Sequence, residues 1–448
     1  MQLVSRYLAV VVLGGPLAIG PLVPAVRAAA ASRQAALLEQ GWFSRARQLA
    51  ATAAERTEIA AAIAAVDAAN GERSAAVANT SRWQVAWNRS GAVAGPVAVD
   101  RCVAGLSSGG IDLFAVDTGR RVWGAGPDGG GPLFPRLPPP LRQSLPGPGA
   151  AGSIAVAAGR LFGLIDPPMP GRGGLLLVAI DLAPAAEGRV AWTKRLAPGT
   201  LAAPAGLAAT ADSCFVATVD PAGQGVGLLA VAAADGGVRW QQSWSLPVPD
   251  QRADPVIVTP LQHLVTVAPG GGMLVGVEAA SGRRQWQSRL PAVAADSSPA
   301  DRTDAVAATA DRLVVIRRPA GRPGPPKLML VDPLDGRPAG GWLQPAVDAA
   351  GLDFGPPVVR WATVVWPVLG DAARPPPTVL IADLPPAAAS PSEAATFTAR
   401  LVPVVDRPAA APAARPRGPR LVVRAQERFW GLEPGTVAPA PAVESEGP

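Results

Sequence analysis

The sequence predicts an all-β fold made of repeated units of short strands, preceded by a short helical segment. The 448 residues include 49 Gly and 51 Pro, so few stretches beyond residue 80 are long enough for a helix, and short strands joined by turns are favoured. Hydrophobic residues make up 49% of the chain and charged residues 17%. This provides enough apolar surface for a core and excludes a disordered polyelectrolyte. The third observation is an internal repeat that begins after residue 80.

Residues 1–28 have the pattern of an export signal. Arg6 is followed by twenty uncharged residues, and Val26-Arg27-Ala28 places small residues at the two positions that a signal peptidase recognises. The sequence therefore predicts a cleaved signal peptide and a secreted or periplasmic protein of the cell envelope. The alternative is an uncleaved anchor over residues 7–26, because twenty residues can span a bilayer. Three Gly and three Pro between residues 14 and 24 disfavour a spanning helix.

Residues 29–80 are predicted to form a helical segment. Between residues 33 and 70 there is no Pro, and Gly41 is the single Gly. The Ala-rich composition and apolar residues three to four apart predict one or two helices. We expect this segment to dock on the domain that follows. A half-repeat of tetratricopeptide type is the alternative, although one such unit cannot bury its own apolar face.

From residue 81 onwards, a strand-turn-strand phrase recurs that ends in Gly-x-x-x-Trp, with a looser last copy. A short apolar strand precedes each copy, and a continuous apolar run lies one strand further upstream. The copies end at Trp123, Trp192, Trp240, Trp286 and Trp342, and the apolar runs start at Cys102, Leu161, Cys214, Leu264, Leu313, Ala362 and Leu421, 49 to 59 residues apart. So regular a period predicts the blades of a β-propeller, with about four strands each. Because the runs are continuous, we expect each to be the inner strand of its blade.

The two ends of the repeat region are each incomplete. Residues 82–87 resemble a Trp-bearing outer strand with no inner strands before it, whereas residues 421–424 and 429–432 resemble inner strands with no outer strand after them. Pairing the two ends completes a seventh blade and removes an open sheet edge. Residues 124–149 and 385–419 are expected to be Pro-rich insertions without strands, and residues 433–448 a disordered tail.

The phrase Asp117-Thr118-Gly119-Arg120-Arg121-Val122-Trp123 resembles the repeat of the pyrroloquinoline-quinone-like (PQQ-like) β-propeller family. That family includes quinoprotein dehydrogenases and the barrel-assembly lipoprotein of the bacterial outer membrane. The resemblance implies an all-β, seven-bladed PQQ-like β-propeller over residues 81–432. It also implies that the Gly makes a tight turn and that the repeat Trp residues are structural, wedged between neighbouring blades. The chain lacks the lipid-anchor Cys of the barrel-assembly protein, since its first cysteine is Cys102.

An enzymatic function finds little support among the residue types. The resemblance implies that a quinoprotein dehydrogenase binds calcium through Glu, Asn and Asp, with an Asp as base and, in some members, a disulfide between adjacent cysteines. Here the only asparagines are Asn70, Asn79 and Asn88, all before the first predicted blade, so this site cannot be placed. His263 is the only histidine, and we expect a solvated residue at a strand entry, with a catalytic or ligand role as the alternative. We predict no enzyme, no cofactor and no metal.

One repeated position has the character of a binding site. Arginine precedes the apolar run in four blades, at Arg101, Arg160, Arg312 and Arg420, while Ser213 and His263 fill the same position in two others. If these arginines converge near one mouth of the central channel, they form a candidate ligand face for an anionic ligand or an acidic peptide. The alternative is that each makes an ordinary salt bridge beside its own turn, as the neighbouring pair Asp311-Arg312 indicates.

Cys102 and Cys214 start runs in the first and third predicted blades, with a whole blade between them. A disulfide requires Cα atoms within about 7 Å, so both cysteines are expected to be free, buried thiols.

The sequence thus predicts an exported, non-catalytic binding or scaffold propeller of the bacterial cell envelope. Its expected partner is another envelope protein or peptide, with membrane contact only through an uncleaved N-terminal segment. The net charge of +6 would suit nucleic acid, but the basic residues are scattered singly, so no nucleic-acid partner is predicted. The alternative function is a quinoprotein-like oxidoreductase that uses PQQ and calcium.

Overall fold

The computed structural model divides the chain into two compact units, Met1–Ile63 and Ala64–Pro448. Residues 1–28 and most of the two predicted Pro-rich insertions lie outside the residues that the structure describes. The described residues are 33–38, 43–90, 92–99, 102–107, 110–116, 118–124, 153–165, 176–182, 190–196, 201–219, 225–244, 257–261, 263–270, 272–291, 302–308, 312–318, 324–349, 351–360, 363–370, 376–384, 396–405, 421–425 and 428–434.

Helices precede the first strand, as the Ala-rich composition predicts. Residues 33–38 are helical, and two longer helices follow, α1 (Phe43–Leu49) and α2 (Ala53–Ala78). A capping box starts α2: the backbone N–H of Glu55 donates to the Thr52 hydroxyl, and the Glu55 carboxylate accepts from the Thr52 N–H at 2.9 Å. The helix continues through Gly71, which has open space where a side chain would lie. None of the described helices is long and apolar enough to cross a membrane.

Strand β1 (Trp83–Ser90) follows the helices, and the next strands form four antiparallel sheets of four strands each, numbered here in chain order. Sheet 1 contains β2 (Ala92–Val99), β3 (Cys102–Ser107), β4 (Gly110–Ala115) and β5 (Arg121–Gly124). Sheet 2 contains β6 (Ser153–Ala157), β7 (Arg160–Ile165), β8 (Leu176–Asp181) and β9 (Val190–Arg195). Sheet 3 contains β10 (Leu201–Ala209), β11 (Ser213–Val219), β12 (Val226–Ala232) and β13 (Val238–Trp244). Sheet 4 contains β14 (Ile257–Leu261), β15 (Leu264–Gly270), β16 (Met273–Glu278) and β17 (Arg284–Arg289).

The remaining strands are less regular. Sheet 5 has three strands, β18 (Arg302–Ala308), β19 (Leu313–Arg318) and β20 (Lys327–Val331), and β21 (Gln344–Pro345) pairs in parallel with β25 (Thr396–Phe397). A closing sheet of seven strands includes β22 (Val358–Arg360), β23 (Thr363–Pro367), β24 (Thr378–Asp383), β26 (Ala399–Val405), β27 (Leu421–Ala425) and β28 (Arg428–Pro434). Its seventh strand is β1, and the order is β22-β23-β24-β26-β1-β28-β27.

The innermost strand of each sheet differs from the sequence expectation. The first strands β2, β6, β10, β14 and β18 contact one another in succession, so they lie innermost. The continuous apolar runs are the second strands, and the expectation that they are inner strands is wrong. In β19, Leu313 through Ile316 are fully buried, because β18 and β20 flank the strand and neighbouring sheets cover both faces. The true inner strands are rich in Ala, Gly and Pro, which an edge strand tolerates because it pairs on one side only.

The two ends of the repeat region pair as predicted. Strand β1 runs antiparallel to β28, with Gln84 opposite Glu433 and Asn88 opposite Trp430. The Gln84 side-chain amide donates to the buried Glu433 carboxylate at 2.9 Å. Strand β1 also pairs in parallel with the end of β26. The predicted sixth and seventh blades therefore share one sheet, and the count of seven blades stays a prediction.

The expected strand-free insertion at residues 385–419 is wrong over part of its length. Residues 399–405 form β26, which pairs along β24 and contributes buried Val402 and Val404 to the core. Pro403 interrupts the apolar pattern, so the sequence did not indicate a strand here. It is tolerated because β26 pairs with β1 only at Val404 and Val405, so most of its far edge carries no ladder to interrupt. The expected tail at 433–448 begins with two residues of β28, and residues 435–448 lie outside the described part of the chain.

Candidate functional site

The structure describes two of the four arginines proposed as a ligand face, Arg160 and Arg312. Each of them forms an ion pair with an aspartate. Arg160 opens β7, and its Nε donates to Asp181 Oδ1 at 2.6 Å. Its Nη1 also donates to the backbone carbonyls of Ala233 and Ala234, at 2.5 and 2.8 Å, in the β12–β13 turn of sheet 3. Arg160 therefore ties sheet 2 to sheet 3 while it pairs with an acid of its own sheet.

Arg312 forms an ion pair equivalent to that between Arg160 and Asp181. It directly precedes β19, and its Nη1 lies 3.1 Å from Asp332 Oδ2, just after β20. Both ion pairs thus join the start of a second strand to the end of a third strand. This is the salt-bridge alternative, with the acid across the sheet as a partner, while Asp311 lies outside the described residues. No contact joins Arg160 to Arg312 in the described residues, and Arg101 and Arg420 lie outside them, so the ligand face stays a prediction.

The two other occupants of this position make backbone contacts. Ser213 is buried, and its N–H donates to the Thr210 hydroxyl at 3.2 Å, which closes the β10–β11 turn. His263 is half-buried, and its carbonyl accepts a hydrogen bond from the Ala279 N–H at 2.9 Å. The position is therefore a turn junction, whichever residue type fills it.

Outer-strand tryptophans connect four pairs of neighbouring sheets. In four places the indole N–H donates at 2.8 to 3.0 Å to a turn carbonyl of the following sheet, and the ring packs on a Gly three residues beyond that carbonyl. The contacts are Trp87 with Val116 and Gly119, Trp192 with Ala233 and Gly236, Trp240 with Ala279 and Gly282, and Trp286 with Pro333 and Gly336. Each Gly has a φ between 60° and 74°, and a Cβ there would overlap the indole. The turn therefore requires Gly for conformation and for space.

The looser fifth copy of the phrase behaves differently. Trp342 follows its Gly by six residues instead of four, and its indole N–H donates back towards sheet 4, to the Pro291 carbonyl at 3.0 Å. The Arg317 guanidinium lies 5.5 Å from the Trp342 ring centroid. At the junction beyond sheet 5, a cluster that includes Phe354, Trp366 and Phe397 takes the place of a Trp–Gly contact. Of Trp123 only the backbone is described, in β5.

The remaining candidate residues are the cysteines and any cluster of metal-binding side chains. Cys214 is a free thiol, fully buried in β11, and burial raises the pKa of this thiol well above its usual range. The backbone of Cys102 lies in β3, while its side chain lies outside the described part of the protein. Within the described ranges, no group of three or more His, Cys, Asp or Glu residues lies where it could hold a metal ion.

The acidic partners of Arg160 and Arg312 were not predicted. Asp181 and Asp332 each follow the last apolar residue of a third strand, in Ile180-Asp181 and Val331-Asp332. The same phrase stands at Val116-Asp117. The recurrence of an acid one strand after a recurring Arg is the signal that indicates the ion pair.

Comparison with known proteins agrees with this geometry. Residues 107–318 match the family model described as outer membrane protein assembly factor BamB. Among curated protein sequences, none matches the chain.

Several solved structures are similar at low sequence identity. BamB from Moraxella catarrhalis is 12% identical with a TM-score of 0.40, and the alignment covers 76% of this chain and 84% of that one. Quinohemoprotein alcohol dehydrogenase from Comamonas testosteroni is 14% identical with a TM-score of 0.41, covering 82% and 78%. A europium-containing methanol dehydrogenase is 12% identical with a TM-score of 0.37, covering 72% and 69%. The recurring phrase, the four-stranded sheets with their Trp–Gly contacts and the match over residues 107–318 together show the fold of a PQQ-like β-propeller.

Proposed function

We propose that the protein is an exported, non-catalytic binding scaffold of the bacterial cell envelope, and that its partner is another envelope protein or a peptide. The observation that carries the proposal is the match of residues 107–318 to the model for an outer membrane assembly factor. The export pattern of residues 1–28 supports the location.

The contacts that the repeated Trp and Arg residues make between sheets support a scaffold role. Trp192, Trp240 and Trp286 each bind the turn of a neighbouring sheet, and Arg160 spans two sheets. A ring fixed in this way presents its surface loops and edges in constant geometry, which suits protein binding by a preorganised surface.

The quinoprotein alternative finds no fitting residues. Calcium prefers six to eight oxygen ligands, and the ligand set that the family resemblance implies includes an Asn. Asn70 lies in α2, Asn79 directly follows α2, and Asn88 lies on the outer strand β1, away from the inner strands that surround the centre of a propeller. The chain also has no adjacent cysteines. We therefore derive no redox step for it.

Export is tested by fractionation of cells that express either the full chain or residues 29–448. The full chain is expected in the envelope fraction with its N-terminus processed near Ala28, and the shortened chain in the cytoplasm. A full chain that stays in the cytoplasm unprocessed contradicts the proposed location.

Catalytic competence is tested by calorimetric titration of the purified protein with PQQ and calcium, with a quinoprotein dehydrogenase freed of its cofactor as the positive control. We expect no saturable heat. Saturable binding of one quinone per chain that requires calcium would establish the alternative function.

A further inference from the structure

The outer strands of the sheets carry charge of one sign. The last strands of sheets 1 to 4, β5, β9, β13 and β17, together with β1, which lies between β26 and β28 in the closing sheet, contain seven basic residues and no acidic residue, although the whole chain has 40 basic and 34 acidic residues. The basic residues are Arg89, Arg121, Lys194, Arg195, Arg239, Arg284 and Arg289. This bias sets the outer strands apart from the neighbouring turn and strand end, where the acids Asp235 and Glu278 lie.

The two neighbouring strands β13 and β17 present this charge most openly, and we call their outer edges the basic rim. Arg239, Arg284 and Arg289 are all exposed. Arg284 donates to the Gln287 side chain at 3.0 Å, and no described carboxylate pairs with any of the three. By contrast, Arg160 and Arg312 are each neutralised by an Asp of their own sheet.

The basic rim also offers unpaired main-chain groups. Strands β13 and β17 are the last strands of sheets 3 and 4, and no described strand pairs with their outer edges. Apart from Val238 at the start of β13, their other exposed side chains are polar and uncharged, namely Gln241, Ser243, Gln285 and Gln287. An edge of this kind can accept a further strand through main-chain hydrogen bonds.

Charge on an edge strand can simply oppose aggregation, and lysine is the residue most used for that purpose, whereas all three charges of the basic rim are arginines, which bind carboxylates in a bidentate manner. A field of one sign attracts partners of the opposite sign and orients them. Main-chain pairing in addition selects an extended polypeptide over an anionic lipid or polysaccharide, which lacks peptide groups.

We propose that the basic rim binds an extended, acidic segment of a partner protein, which adds as a further strand to the outer edge of β17 with its carboxylates near Arg284 and Arg289. This inference rests on the proposed function as a protein-binding scaffold and names the chemistry of the partner. Six residues of β17 span about 20 Å, so a segment of six to seven residues covers the edge.

The test uses fluorescence anisotropy with a labelled peptide of sequence Glu-Val-Glu-Val-Glu-Val-Glu at low ionic strength. Two control peptides separate charge from strand pairing. One replaces each Glu by Gln and is neutral, and the other replaces each Val by Pro, which keeps the charge but cannot complete a strand ladder. We expect saturable binding of the first peptide, weakened by added salt, and at least tenfold weaker binding of both controls.

Protein variants locate the binding. R284E/R289E is expected to weaken binding about tenfold, as the loss of two charge contacts of about 0.5–1 kcal/mol each implies, while R284K/R289K retains most of it. The matched control R120E/R337E makes the same change in net charge at exposed turn residues and should leave binding unchanged. Circular dichroism and melting confirm that each variant is folded.

Several results overturn the proposal. These are absence of binding by the acidic peptide, equal binding of the Pro-containing peptide, and equal weakening by R120E/R337E. Heparin, or vesicles rich in anionic lipid, could also bind more tightly than the acidic peptide. If that binding is lost in R284E/R289E, the basic rim binds polyanions and strand addition is excluded. None of these results depends on export or on quinone binding, so failure here is distinguishable from failure of the proposed function.

Discussion

Replacing Gly282 by Ala tests the contact that joins one sheet to the next. Gly282 has a φ of +74°, and a Cβ built there lies 2.6 Å from the Trp240 ring. The left-handed conformation alone costs a non-Gly residue about 1–2 kcal/mol. The indole must also shift, which strains the packing by about 1–3 kcal/mol and weakens its 2.9 Å hydrogen bond to the Ala279 carbonyl. We expect Gly282→Ala to lower the free energy of unfolding by about 3–4 kcal/mol.

Gly159 provides the matched control. It has a φ of +71°, and no atom lies within 4 Å of the position of a Cβ. Gly159→Ala therefore shares the conformational cost without the steric one, and should lower the free energy of unfolding by about 1–2 kcal/mol. Guanidinium denaturation of both variants measures the difference.

A double-mutant cycle with Trp240 isolates the steric part. Trp240→Ala removes the ring, so Gly282→Ala in that background should cost only about 1–2 kcal/mol. Equal costs for Gly282→Ala and Gly159→Ala, or strict additivity in the cycle, would refute the conclusion that the indole determines the need for Gly at this turn.

Three further predictions concern single residues. Arg160→Met should lower the free energy of unfolding by about 2–3 kcal/mol, because Arg160 binds Asp181 and two backbone carbonyls of the next sheet; an unchanged value in chemical denaturation would contradict this. Backbone hydrogen bonds lower the pKa of Glu55, so its cap on α2 is present above the ordinary carboxyl pKa and is lost as the pH falls through the lowered value. Amide protection at the start of α2, corrected for the intrinsic exchange rate at each pH, should therefore fall in acid, and Glu55→Gln should abolish that pH dependence. Ala158 has a φ of +48° in a two-residue hairpin turn, where Asn-Gly is preferred; Ala158→Asn should raise the free energy of unfolding by about 0.5–1 kcal/mol, and an unchanged or lower value would show that the Ala conformation is unstrained.

The sequence predicts the elements whose packing requires the same residue type in every repeat. A tight turn beneath the indole of the preceding sheet requires Gly, and the outer strand after that turn carries a Trp of its own. The phrase Gly-x-x-x-Trp therefore recurs at Gly119, Gly236 and Gly282 and marks each third and fourth strand. The second strands are equally visible, since burial on both faces requires an unbroken apolar run such as that at Leu313.

The inner strands and the direction of Trp342 are harder to predict from the sequence, for physical reasons. Strands β2, β10 and β14 lie at the centre, where small residues fit and an unpaired edge admits Pro, so they lack both apolar alternation and a continuous run. The same reasoning applies to β26 around Pro403. The direction of Trp342 follows from two extra residues after Gly336, whose effect depends on the packing of sheet 4.

The predicted ligand face shows a different limit. A recurring Arg indicates a common environment, but spacing alone does not distinguish a ligand from a carboxylate of the same sheet. Arg160 and Asp181 are 21 residues apart, and only the pairing of β7 with β8 brings them together.

Pairing of the two chain ends in one sheet is the central structural claim, and an engineered disulfide tests it most directly. Ser90 on β1 lies opposite Arg428 on β28, so S90C/R428C, with Cys102 and Cys214 replaced by Ala, should form an intramolecular disulfide under mild oxidation. The control S90C/P434C places the second cysteine opposite Trp83, about 20 Å further along β1, beyond the reach of a disulfide. Mass spectrometry of the unreduced protein should show the bond between residues 90 and 428 and none in the control. Free thiols in S90C/R428C, or equal crosslinking in the control, would contradict closure of the propeller by its two ends.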